Sequence, residues 1–296
     1  MLSLLYKIGS HMKICVIGGA NVDITATSSS AFRLGDSNPG SVRVSWGGVG
    51  RNIAHNLVLL GDEVEFLTIF GGGLFGPVIA DACRDLGMQT GHCETAAAGT
   101  NSFFVSINNA DGELVGGIAD MNATEEMTPE WLSRRLEVIN AADAVVADAN
   151  TSAESLAWLI DHCTRPLYLD AVSVAKAPRI LEALALSQRK SFFALKCNAL
   201  EHLAMGRIGG VRRAYISMGA EGLQVWEEGK VYAFPALPCL VKNVTGGGDA
   251  LLSGIVHAGP GASIEESARW GLLCARCSVE SEDAVSENIR NLVRVG

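Results

Sequence analysis

Short, almost wholly apolar runs alternate with longer stretches of helical spacing, and this rhythm constrains the fold more than any other feature. DAVVADAN (143–150), PLYLDAV (166–172), SFFALKCN (191–198) and RAYISMG (213–219) are such runs, and segments such as SAESLAWLIDHC (152–163) separate them. A strand that is apolar on both faces has no solvent side. It belongs in a parallel sheet with helices packed on both faces. Upstream, KICVIGGANVDI (13–24) predicts a buried first strand ending in a glycine turn. RNIAHNLVLLG (51–61) and FGPVIADACRDLG (75–87) predict helices stopped by glycine, and EVEFLTIFG (63–71) predicts the strand between them.

Two segments break the rhythm. Residues 24–48 and 101–117 alternate apolar and polar positions, and the second carries NADG between its arms, a hairpin turn. They predict antiparallel strands standing off the main sheet as a small lid, at about 24–48 and 101–120. The expected organisation is a single α/β domain over 12–296. GSHM at 9–12 has the look of a cloning scar, so 1–11 reads as an added tail.

The 296 residues are 48% hydrophobic, enough for a large core. A net charge of −9 argues against general binding to nucleic acid or an anionic membrane. No apolar run reaches the ~20 residues of a membrane span, and the chain is expected to be cytoplasmic. The eight cysteines are scattered through apolar contexts, which suits free thiols in a reducing compartment. Cys274 and Cys277 form a lone C-x-x-C in a helical context and read as two small apolar residues.

The chemistry concentrates in TGGGDALLSG (245–254). Glycines let backbone N–H groups approach a ligand closely. A helix starting near Asp249 adds unpaired N–H groups and the positive end of its dipole. Such an anion hole could hold a phosphoryl group, with Asp249 at its lip accepting a proton from a hydroxyl. A glycine turn whose aspartate merely caps the helix is the competing reading. Three further features fall at expected carboxyl ends of strands, where open α/β sheets bind ligands. They are Gly47, Gly48, Gly50 and Asn52 at a helix mouth, Asn21 and Asp23 after the first strand, and Asn198 with Glu201 after a later one.

These motifs resemble the ribokinase-like (PfkB) family of sugar and nucleoside kinases, over nearly the whole chain from about Met12. GGVGRN…A…LG is similar to the family's first signature and NVTGGGDALLSG to its second, with Gly247 where alanine is usual. DSNPG (36–40), ADMNATEEMTPEWL (119–132), VVADANTSAESLAWLID (145–161) and LYLDAVSVAKAPRI (167–180) resemble the pseudouridine kinase branch. Between Glu201 and Tyr215 the chain is shorter than in relatives, which usually place a helix there.

The resemblance implies a three-layer sandwich with a mostly parallel sheet and a β-sheet lid. It also implies transfer of the ATP γ-phosphoryl group to a primary hydroxyl, here the 5′-hydroxyl of pseudouridine. Asp249 would be the base, and the backbone of Gly246, Gly247 and Gly248 the anion hole. Asn21, Asp23, Gly47, Gly48 and Asn52 match sugar-contacting positions. Asp23 could instead close an Asx turn, and Asn52 could cap its helix. Lys196, Asn198, Ser217, Gly219, Gly222 and Thr245 would border ATP. Glu201, with Asn198, would hold Mg²⁺ through water, although a first-turn helix carboxylate also explains Glu201. Asn243 and Thr245 match a monovalent-cation site for K⁺, where relatives often carry an acidic residue in place of Asn243. Asn122, Asn150 and Lys176 are candidates to read the nucleobase; Lys176 reads equally well as a solvated lysine. A homodimer through the lid is expected.

Three competing readings stand beside this one. The same chemistry could act on ribose, another nucleoside or fructose. A nicotinamide-dependent dehydrogenase fits poorly, because GGANVD lacks the G-x-G-x-x-G spacing. A catalytically silent ligand-binding protein is disfavoured by the intact Asp249.

Overall fold

The computed structural model describes residues 11–100 and 102–293. Residues 1–10 of the expected tail, and Asn101 at the head of the second lid segment, lie outside the described residues. In chain order the elements are β1 (Lys13–Ile17), β2 (Asn21–Ser28), β3 (Gly40–Gly47), α1 (Val49–Leu59), β4 (Glu63–Leu67), β5 (Ile69–Phe70), α2 (Phe75–Asp85) and β6 (Glu94–Thr95). Next come β7 (Phe103–Asn108), β8 (Leu114–Asp120), the short α3 (Asn122–Glu125), α4 (Pro129–Ser133) and α5 (Leu136–Asn140), then β9 (Ala144–Asp148), α6 (Ala153–His162) and β10 (Leu167–Asp170). The chain closes with α7 (Pro178–Leu186), β11 (Phe192–Asn198), α8 (Ala199–Met205), β12 (Val211–Ser217), β13 (Leu223–Glu227), β14 (Lys230–Phe234), α9 (Gly247–His257) and α10 (Ile264–Val279).

Eight strands form the main sheet in the order β14-β13-β12-β11-β10-β9-β1-β4. The six from β12 to β4 pair in parallel, and β13 and β14 extend one edge as antiparallel strands. The reason is visible in β1. Ile14 and Val16 enter one core with Ile53 and Leu57 of α1 and Leu252 and Ile255 of α9. Cys15 and Ile17 enter the opposite core with Leu156 and Ile160 of α6 and Ile180 of α7. With both faces buried, the strand needs helices on both sides, and a three-layer sandwich follows.

A second sheet of four strands, ordered β3-β2-β7-β8, stands beside this body. Both expected lid segments contribute to it. Its outer pairs are antiparallel, but the central pair, β2 with β7, is parallel, against the expectation of an antiparallel lid. Each segment is a hairpin that leaves the body and returns, and the two outgoing strands lie side by side. The second turn comprises Asn109–Gly112, with Gly112 at φ 84° and its N–H donating to Asn109 O.

The predicted first strand divides. β1 ends at Ile17, and after Gly18, Gly19 and Ala20 the chain re-enters strand as β2, so Asn21 and Asp23 lie on a lid strand. This crossing runs over the end of β9, where a Cβ on Gly18 would collide with the Asp148 carboxylate. The short segment after Glu201 holds one helix, α8, before β12 begins. The eight cysteines are free thiols, and Cys274 is fully buried on α10. Among the described residues no helix is long and apolar enough to cross a membrane.

Candidate active site

Two helix starts meet at the carboxyl ends of the central strands. α1 begins after Gly48, held at φ 101°, and a Cβ on Gly50 would strike the Gly18 backbone. α9 begins on Gly246, held at φ 82° in the left-handed region that favours glycine, and a Cβ there would collide with the Ala284 carbonyl. Between the two starts, Asn52 Nδ2 donates to Asp249 Oδ2 at 2.9 Å. Asn52 is therefore a strut between helices rather than a cap of its own helix.

The backbone N–H groups left free at the start of α9 are not the whole of the expected 246–248 set. The Gly247 N–H turns back to Val244 O at 3.3 Å, whereas those of Gly248 and Asp249 have no backbone acceptor among the described residues. These two orphan donors and the helix dipole make the mouth of α9 attractive to an anion. Asp249 is 9% exposed. Burial, reinforced by the nearby Asp170 carboxylate, pushes its pKa up to about 7.

Lys196 lies against the same mouth. Its Nζ is 3.1 Å from Asp170 Oδ2, with both side chains buried, and a Cβ on Gly248 would run into it. Burial alone would push the ammonium down. Asp170, Asp249 and Glu201 more than offset this and hold it above the ordinary lysine range. Asn198 and Glu201 form a capping box on α8: Glu201 N donates to Asn198 Oδ1 at 2.9 Å, and Asn198 N and Nδ2 donate back to Glu201 at 2.8 and 2.7 Å. The helix-carboxylate reading of Glu201 is thus realised. The set is oxygen-rich and its single carboxylate is already hydrogen-bonded, so it fits an outer-shell hold on Mg²⁺ through water and not a direct cage.

Ser217 donates to Cys197 O at 3.4 Å at the end of β12. Gly219 (φ 58°) and Gly222 (φ 103°) make the turn into β13, where a Cβ on Gly222 would collide with the Phe234 carbonyl. Thr245 N donates to Asn243 Oδ1 at 2.9 Å, and Asn243 Nδ2 donates to Glu282 O at 3.0 Å. The Asn243 amide thus ties these two loops together.

The wall between lid and body encloses a cleft of about 840 Å³, lined by Asp23, Arg43, Arg51, Asn52, His55 and the 243–245 and 282–287 loops, among others. Gly47 lies so close beneath Asp23 that a Cβ would overlap the Asp23 carboxylate. The Asx-turn reading fails, because Asp23 sits within β2 and accepts from Asn21 Nδ2. Burial pushes the Asp23 carboxyl up to about 6, against the Asn21 hydrogen bond and the Arg51 charge. Arg43 on the lid pairs with Asp283 across the cleft.

Asn150 and Lys176 come together, Lys176 Nζ donating to Asn150 Oδ1 beside Gly19. Lys176 is half-buried, with burial lowering its pKa, so the solvated reading does not hold. Asn122 stands apart at the foot of the lid, bonded to Asp120 at 2.6 Å. Three groups escaped the reading of the sequence: Arg51, Asp148 and Asp170. Each carried a signal, since Arg51 interrupts the first glycine motif and the two aspartates end otherwise apolar strands.

The profile described as "pfkB family carbohydrate kinase" matches residues 11–290. The chain is 30% identical over 289 residues to a pseudouridine kinase of Escherichia coli K12, covering 91% of each. Among solved structures it resembles a carbohydrate kinase from Agrobacterium tumefaciens, with a TM-score of 0.80, 31% identity and coverage of 95% of this chain and 96% of that one. It also shares its fold with an Arabidopsis thaliana ribokinase complexed with ribose and ATP, with a TM-score of 0.83, 20% identity and coverage of 96% and 99%.

Replacing Lys196 with Met leaves Asp170 buried without its cation. Urea denaturation of Lys196→Met should show a loss of about 3–5 kcal/mol, partly recovered by adding Asp170→Asn. A single variant as stable as the parent chain would mean that the pair is not buried as described.

Proposed function

Since the chain belongs to the pfkB family of carbohydrate kinases, we propose that it transfers the γ-phosphoryl group of ATP to the 5′-hydroxyl of pseudouridine. The observation that carries this reading is the Asp249 carboxylate, buried at the mouth of α9 beside the orphan N–H groups of Gly248 and Asp249. The similarity to a pseudouridine kinase supports the choice of acceptor.

In this reading Asp249 takes the proton from the 5′-hydroxyl. The freed oxygen attacks the γ-phosphorus, and the bond to the β,γ-bridging oxygen breaks as ADP leaves. Phosphoryl transfer needs alignment and charge neutralisation more than covalent help. The α9 N–H groups and the Lys196 ammonium supply fixed positive charge where the phosphoryl group passes. Mg²⁺ carried by the nucleotide would add charge neutralisation, held through water by Asn198 and Glu201. Ser217, Gly219 and Gly222 border the nucleotide. Asp23 accepts from the vicinal ribose hydroxyls. Asn150, through its Nδ2, and Lys176 offer donors to uracil carbonyls. A site acceptor for the extra ring N–H of pseudouridine would discriminate it from uridine, since an unpaired buried donor is costly.

The lid carries the dimer in this proposal. Val42, Val44, Ile107 and Ile118 are exposed on the lid face opposite Asp23 and Arg43. An apolar sheet face of this kind favours a second copy.

Four measurements test these statements. Asp249→Asn should lower kcat by about 10²- to 10⁴-fold with an unchanged melting temperature. In the parent chain kcat should rise with pH through about 7 and then level off, because only the ionised Asp249 accepts the proton. Unchanged turnover in the variant would remove the base. With ATP and a panel of pseudouridine, uridine, guanosine, ribose and fructose, pseudouridine should show the highest kcat/KM; ribose outpacing it would move the assignment to a sibling activity. By analytical ultracentrifugation the chain should be a dimer and Val44→Asp a monomer, and a monomeric parent chain would remove the lid interface.

A further inference from the structure

We propose that Arg51 is a positioning residue for the base: its guanidinium, buried in the cleft wall, orients the Asn52 amide, which in turn aims the Asp249 carboxylate. This rests on the assignment of Asp249 as the base.

The geometry is a relay. Arg51 Nη1 donates to Asn52 Oδ1 at 3.0 Å, and Asn52 Nδ2 donates to Asp249 Oδ2 at 2.9 Å. A guanidinium has donors only, so it dictates that the amide oxygen face it and the NH₂ face the acid. With the guanidinium gone, the amide is free to turn over, which would set Oδ1 against a carboxylate oxygen, acceptor against acceptor. While the relay holds, Oδ2 is occupied and the carboxylate presents Oδ1, which has no hydrogen bond among the described residues.

The use of Arg51 is otherwise hard to explain. The residue is 7% exposed, yet the bond to Asn52 is the one side-chain hydrogen bond it makes among the described residues. An arginine has five N–H donors, and one that faces the cleft while giving a single side-chain bond to the protein is not explained by packing alone. The backbone also fixes its place: Arg51 N donates to Gly19 O at 3.1 Å, on the glycine crossing that separates β1 from β2.

The charges around the base give the relay an electrostatic role. Asp249 is faced by Asn52 and Arg51 from α1, Lys196 from β11, Asp170 from β10 and Asp148 from β9. Glu201 on α8 acts on Lys196, and Asp23 on β2 acts on Arg51. Burial, Asp170 and Asp148 raise the proton affinity of Asp249, and Lys196 and the Asn52 bond lower it. Arg51 is attracted by both Asp23 and Asp249 and adds to the lowering side. Removing its charge should therefore make Asp249 harder to ionise.

The test uses the full-length enzyme with Arg51→Met, Arg51→Lys, Asn52→Leu and the double variant Arg51→Met/Asn52→Leu. Arg51→Met should lose about 10- to 100-fold in kcat, keep its KM for ATP, and shift the acid limb of the kcat–pH profile upward by about one unit. Arg51→Lys keeps the charge and loses the fork, so kcat should fall while the limb stays in place. The double variant should be no slower than Asn52→Leu, because both changes cut one relay. An unmoved limb in Arg51→Met, additive losses in the double variant, or a rise in sugar KM with kcat intact would overturn the proposal. If Arg51→Met does not fold, Arg51→Lys decides: full kcat in that variant overturns it. An active Asp249→Asn enzyme would instead refute the base itself, so the two failures are distinguishable.

Discussion

One hydrogen bond, from Asn52 to Asp249, joins two helix starts that lie 197 residues apart in the chain. Much of the site's geometry serves this contact. Gly48 and Gly50 let α1 press against the Gly18–Ala20 crossing, Gly246 lets α9 start under the Ala284 carbonyl, and Gly254 lets α9 lie against the Trp270 backbone of α10. At each of these places a Cβ would occupy space already held by backbone. The glycines of the two motifs therefore act as spacing elements as much as ligand-facing ones, bringing two positive helix ends to one point.

The same point collects buried charge. Asp148, Asp170 and Lys196 are almost fully buried behind Asp249, and Lys196 is the ammonium that Asp170 and Asp249 share. A buried ion pair is a poor source of stability, because desolvation offsets most of the attraction. Its value lies in tuning. Burial, with Asp170 and Asp148 behind it, pushes the Asp249 proton affinity up toward neutrality while Lys196 and the Asn52 bond oppose the rise. Perturbed groups gathered at the ends of parallel strands are what a catalytic cleft requires and what a purely structural core avoids.

The lid is tied to this centre. Arg43 reaches from β3 to Asp283, and the next residue, Ala284, packs over Gly246 at the start of α9. Asn243 joins the same loop through Glu282 O. The lid strands, the 282–287 loop and the start of α9 are thus consecutive neighbours. Asp23 sits on a lid strand, so this carboxylate belongs to the cover of the cleft rather than to its floor.

The parallel sheet, its helices and the two glycine motifs were legible in the residues themselves, because strand and helix periodicity and glycine placement are short-range properties. Asp249, Asn52 and Asn198 stood out for the same reason, each adjoining a local break in pattern. Tertiary structure alone decided the rest. Asn21 and Asp23 became lid-strand residues because the chain crosses Asp148, which is 127 and 125 residues further on. The lid's central pair became parallel because two distant hairpins emerge side by side. Arg51 and Asp170 acquired partners that no spacing rule connects. Charge pairing and desolvation act through space, and a sequence orders residues only along the chain, so which buried charges meet is known only once the sheet has brought its strand ends together.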